Sequence, residues 1–111
     1  MSKHSDDVSL HHMLDAAREA VSLIDNRGRA DLDTDRLLNL ALVRLLEIVG
    51  EAANRISEEV QSQSPQIPWS QVVSLRNRLI HGYDNVDFDI LWQIVTIDLP
   101  PLITQLEKIV K

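Results

Sequence analysis

Between Val8 and Ile24 the apolar residues Leu10, Met13, Leu14, Ala17, Val21 and Ile24 recur at spacings of three and four. That rhythm is the stripe of an amphipathic helix, and Asn26-Arg27-Gly28 supplies its stop. Asp33-Thr34-Asp35 offers capping oxygens for a second helix, whose apolar line Leu37, Leu38, Ala41, Leu45, Ile48, Val49 and Ala52 runs to about Ile56. Leu40, Leu42, Val43 and Leu46 form another apolar line on the other side of it. A helix apolar around most of its circumference has to be covered on most sides. A central place in a bundle and a second copy of the chain are both expected to provide that cover.

Ser62 to Pro68 is polar and twice interrupted by proline, so it reads as a loop within a domain. Trp69 to Ile80 predicts a third helix with Val72, Val73, Leu75 and Leu79 inward, and Gly82 stands where a helix C-terminal glycine would sit. Asp87 can cap a fourth helix carrying Phe88, Leu91, Trp92 and Val95, with Asp89 adding negative charge in its first turn. Pro100-Pro101 is expected to break or kink that helix and to open a final one at its first turn, with the stripe Leu99, Leu102, Ile103, Leu106, Ile109 and Val110. No segment alternates with period two. The expected architecture is all-α, a four- to five-helix up-down bundle forming one domain over residues 1–111 and pairing as a homodimer.

Composition narrows the function. The 111 residues contain no cysteine, which excludes disulfide frameworks, thiol catalysis and Cys-based zinc sites and is compatible with a cytoplasmic protein. No run approaches the roughly 18 uninterrupted apolar residues of a membrane span, and the N-terminus has no apolar secretion segment. A formal net charge of −6 opposes nonspecific attraction to nucleic acid. Against the 17 acidic residues of the whole chain, none falls between Gln61 and Tyr83. Local charge therefore matters more than the sum.

That acid-free stretch holds Arg76-Asn77-Arg78-Leu79-Ile80-His81-Gly82-Tyr83, a fixed cation, a titratable imidazole and the chain's single tyrosine. On an unbroken helix turning about 100° per residue, Arg76 and His81 would diverge by roughly 140° and could not share a ligand. A helix that stops at Ile80 or His81 would release the imidazole toward a phosphate held by the arginine. Alternatively, two chains could each supply both groups to one cleft. Cleavage of RNA suits this set, because the ribose 2′-OH is an internal nucleophile beside the scissile phosphate and needs no metal or other cofactor. His81, with an ordinary pKa of about 6.5, is the candidate base for the 2′-OH proton. Arg76 is the candidate clamp on the nonbridging oxygens. Asn77, four residues before His81, would share its helix face and support the imidazole or a phosphate.

Arg76, His81 and Tyr83, with polar Asn77 after the arginine, resemble the Arg-x4-His-x-Tyr motif of the HepT toxins, a branch of the HEPN superfamily of small helical ribonucleases. Gly50-Glu51-Ala52-Ala53, Ile67-Pro68-Trp69 and the stretch from Asp87 to Pro100 are similar to that family as well, so the likeness spans nearly the whole chain. The resemblance implies a homodimer with a shared cleft, metal-independent endoribonuclease activity, and a toxin of a type VII toxin-antitoxin system. It also implies a cognate nucleotidyltransferase antitoxin that transfers AMP to Tyr83, and a larger hetero-oligomer with that antitoxin as a further option. An added AMP would place an anion beside Arg76 and His81 and block substrate phosphate.

Plainer readings stand beside these. Arg76 and Arg78 would serve equally as solvated surface charges or as partners of carboxylates elsewhere in the bundle, and His81 as a residue favoured at a helix C-terminus. The histidines His4, His11 and His12 have no acidic residue completing a metal-ligand set, Glu51 and Arg55 are spaced as a surface ion pair, and Trp69 and Trp92 fall in core patterns. The alternative function is a noncatalytic helical module that binds a nucleotidyltransferase partner.

Overall fold

The computed structural model describes the backbone of residues 3–81 and 85–110, and the side chains of residues 5–80 and 85–110. Helix accounts for 79% of the described residues, which bears out the all-α expectation. Helix α1 spans Lys3–Leu23, α2 Asp31–Thr34 and α3 Arg36–Arg55. The stop after α1 is made by Asn26, whose φ of 60° lies in the left-handed region that asparagine tolerates better than most residues. Asp35 caps α3 as the sequence predicts, its carboxylate accepting the Leu38 N–H at 3.0 Å.

A short helix stands just before the expected loop, reaching two residues into it, and the helix expected after the loop is divided in two. Ser57 caps the short α4, Glu58–Gln63, by accepting the Val60 N–H. Ser57 in turn donates both its N–H (2.9 Å) and its hydroxyl (2.8 Å) to the buried carboxylate of Asp6 on α1. The expected Trp69–Ile80 helix is divided at Ser74 (φ −94°, ψ 12°) into α5, Trp69–Val73, and α6, Leu75–Leu79. Trp69 anchors its start: the ring is buried and its Nε1–H donates to the Ser64 carbonyl at 3.0 Å.

Helix α6 is followed by a two-residue strand β1, Ile80–His81, antiparallel to β2, Asn85–Val86, with Ile80 opposite Val86 and His81 opposite Asn85. Asp87 then caps α7, Phe88–Gln93, accepting the N–H groups of Asp89 and Ile90. The prolines at 100 and 101 do not break the chain's helical course. They open α8, Leu99–Ile109, directly after a wide π-helical turn over Ile94–Asp98, in which the Leu99 N–H reaches back to the Ile94 carbonyl. Proline lacks an N–H and its ring crowds the carbonyl four residues earlier, and the wider turn relieves both constraints.

The core is one cluster. Met13, Ala17 and Ala20 of α1 meet Leu42, Leu46, Val49 and Ala53 of α3, and Leu75, Leu79, Leu91, Ile94, Leu99, Leu102 and Leu106 close it from the C-terminal half. The extents of 43 × 31 × 20 Å make the molecule about two helix diameters thick, taking ~10 Å per helix. Of the second apolar line on α3, Leu42 and Leu46 are fully buried, whereas Leu40 is 49% and neighbouring Leu37 81% exposed. No described helix is long and apolar enough to cross a membrane.

Candidate active site

Burial of Val72, Leu75 and Leu79 turns Arg76 and Asn77 outward, toward the side of α3. The two helices approach closely there because Gly50 has no side chain: a Cβ at that position would stand 3.2 Å from the Val72 carbonyl oxygen and 3.4 Å from that of Val73. The result is an open groove of about 300 Å³ floored by Leu46, Gly50 and Val73, with Glu47, Glu51 and Asn54 on the α3 side and Arg76 and Asn77 on the other.

The groove is lined by charges of both signs. Arg76 Nε lies 3.1 Å from Glu47 Oε2, and Arg44 Nη1 approaches Glu47 Oε1 at 3.7 Å and Glu51 Oε1 at 3.6 Å. Glu51 thus faces Arg44, where the sequence spacing suggested Arg55. The acid-free stretch is acid-free only along the chain: α3 brings Glu47 to Arg76, and the π-turn brings Asp98 to Arg78, whose Nη2 donates to its carboxylate at 3.0 Å. Arg76 nevertheless remains 61% exposed, and an ion pair so open to water contributes at most about 1 kcal/mol. A phosphate can compete for it.

The α6 helix ends at Leu79, earlier than Gly82 suggested, with Ile80 already extended (φ −100°, ψ 124°). The backbone of His81 therefore belongs to a strand, and the expected 140° divergence from Arg76 on one continuous helix does not apply. For the same reason Asn77 and His81 do not share a helix face. Asn77 instead stands beside Arg76 at the groove. The imidazole of His81 and the whole of Tyr83 lie outside the described residues.

Glu47 went unremarked in sequence because it sits inside the apolar run Leu45 to Val49, where a lone charge looks like a solvated helix position. The profile of the family described as ribonuclease HepT-like matches residues 13–109. The chain belongs to the HepT-like ribonuclease family. Among its relatives is a Thermococcus cleftensis protein named "Probable ribonuclease HepT", 36% identical over 102 residues that cover 88% of this chain and 93% of the relative. A Methanocaldococcus jannaschii protein named "Putative RNase MJ1380" is 32% identical over 107 residues, covering 96% of this chain and 98% of the relative. No solved structure matches. Membership in this family of ribonucleases supports RNase activity, with RNA as the substrate class.

Proposed function

We propose that this HepT-like chain is a toxin of a type VII toxin-antitoxin system: a metal-independent endoribonuclease, acting as one domain in the cytoplasm, with Arg76 and His81 catalytic. The observation that carries the reading is that Arg76 stands exposed at a groove while its helix ends at Leu79, two residues short of His81. Arg76 grips the nonbridging oxygens, and His81 takes the proton as the 2′-oxygen attacks phosphorus. The bond from phosphorus to the 5′-oxygen breaks, and a second imidazole, from the paired protomer, protonates the departing oxygen. The ends are a 2′,3′-cyclic phosphate and a 5′-hydroxyl. Asn77 supports the phosphate beside Arg76. The exposed pair Leu37 and Leu40, on the α3 face that continues into Arg44 and Glu47, is the proposed surface for the homodimer.

Tyr83 is the proposed acceptor of AMP from a cognate nucleotidyltransferase: its hydroxyl attacks the α-phosphorus of ATP and pyrophosphate leaves. The added phosphodiester is an anion two residues from His81. The test is cleavage of mixed RNA in EDTA by the unmodified protein, with Arg76→Ala and His81→Ala in parallel and analysis of the product ends. Cyclic phosphate ends that vanish in both variants support the proposal, and cleavage retained by both sinks it. The balanced charge of the groove favours one second reading, a noncatalytic module that presents Tyr83 to its partner. Absence of cleavage by folded wild-type dimer selects that reading.

A further inference from the structure

We infer that Glu47 is a positioning residue for the Arg76 guanidinium, fixing its plane so that the terminal nitrogens face the substrate phosphate. The inference rests on the reading of Arg76 as the phosphate clamp. An exposed arginine is free to sample many rotamers, and holding one of them costs up to about 2 kcal/mol of side-chain entropy. A planar fork grips a phosphate well only when its edge is aimed at it.

Glu47 meets Arg76 at Nε, the nitrogen nearest the chain, at 3.1 Å. The two terminal nitrogens project beyond that contact by the geometry of the side chain itself. The carboxylate is in turn held from its other side, where Oε1 faces Arg44 at 3.7 Å. Glu47 is also the least exposed member of the group, 24% against 61% for Arg76 and 62% for Arg44, and it is mounted near the middle of the 20-residue α3, next to fully buried Leu46. A rigid helix thus carries the anchor, and the short α6 carries the group being aimed. Gly50, at the same groove, allows α5, which leads into α6, close to α3. Arg44 completes the arrangement electrostatically: two arginines and two glutamates sum to zero, so the anchor does not leave an uncompensated negative charge in the path of a polyanion.

Positioning and simple charge make different demands on substitution. Glu47→Gln keeps a side-chain oxygen of the same reach beside Nε and removes one negative charge, whereas Glu47→Ala removes both. With full-length protein and a defined RNA, Glu47→Ala is expected to lower kcat about tenfold or more, and Glu47→Gln to keep kcat within about threefold while lowering KM. Circular dichroism and a thermal midpoint for each variant report the fold, and Glu47→Gln remains informative if the alanine variant does not fold. Arg76→Ala belongs in the same series. If it cleaves like wild type, the clamp reading itself falls. If it is inactive while Glu47→Ala keeps wild-type kcat, the clamp stands and the positioning role is overturned. A glutamine variant as slow as the alanine variant also overturns it, since an oxygen held beside Nε would then not be what matters.

Discussion

Replacing Gly50 by alanine sets two effects of known sign against each other. Alanine favours a helix interior over glycine by about 1 kcal/mol, and nothing else about α3 argues against the change. The new methyl group, however, would stand 3.2 Å from the Val72 carbonyl oxygen and 3.4 Å from that of Val73, closer than ordinary contact by a few tenths of an ångström. Both opposing atoms are backbone, and neither can swing aside as the end of a flexible side chain would. Relief requires α5 to move off α3, and overpacking of this kind costs about 1–3 kcal/mol. The expected net is a loss of about 1 kcal/mol, with a larger loss, about 3 kcal/mol, for Gly50→Val, whose branched side chain cannot be absorbed by a small shift. Urea unfolding followed by circular dichroism measures it. Gly28→Ala is the control, because a Cβ there has no atom within 4 Å. A Gly50→Ala protein more stable than wild type by the full helix-propensity gain would refute the close-approach argument. The same displacement would lengthen the Arg76–Glu47 contact, so cleavage should fall together with stability.

Two other outcomes follow from the described contacts. Asp6→Ala removes a 4% exposed carboxylate that accepts two hydrogen bonds from Ser57, and should cost about 2–3 kcal/mol. It should lower the thermal midpoint by about 10 °C, and a shift below about 3 °C would contradict it. At the start of α3, the Leu38 N–H and then Arg27 hold the Asp35 carboxyl below the ordinary carboxylate value. Its contribution is therefore present above the unfolded-state value and disappears as pH falls through the lower folded-state one. Urea midpoints measured from about pH 5 to about pH 2 should decline less steeply for Asp35→Asn than for wild type, and parallel curves would contradict the assignment.

The features legible in sequence are those set by neighbours a few residues away. The stripes of α1 and α3, the caps at Asp35 and Asp87, and prolines at the start of α8 all follow from local period and local hydrogen bonding. Ser57-Glu58-Glu59 was a local signal too, a capping residue followed by acids, and it announces α4. The break at Ser74 and the two-rung pairing of Ile80 and His81 with Val86 and Asn85 lack any such signal, since too few residues take part to show a period. At the site, the exposure of Arg76 and Asn77 follows from the inward spacing of Val72, Leu75 and Leu79. The carboxylate beside Arg76 does not, because Glu47 comes from a helix about thirty positions away and the packing of α3 on α5 and α6 brings it near.

The π-turn before Pro100 has a consequence for the angular phase of the last helix. On an unbroken α-helix Asp98 would stand four residues after Ile94, three after Val95 and four before Leu102, in the middle of the buried line. The extra residue in the wide turn advances the pattern by one position, so that fully buried Leu99 takes that place and Asp98 rotates outward, its side chain 38% exposed. A single-residue deletion between 94 and 98 would take out the extra residue and close the wide turn. Leu99 would then stand four after Ile94 and keep its buried place, while Pro100 and Pro101 would be set against the carbonyls of a regular helix. One residue of slack in the backbone therefore keeps both halves of the long C-terminal helix in step with the core, while delivering to Arg78, two positions from Arg76, the carboxylate that ties α6 to it.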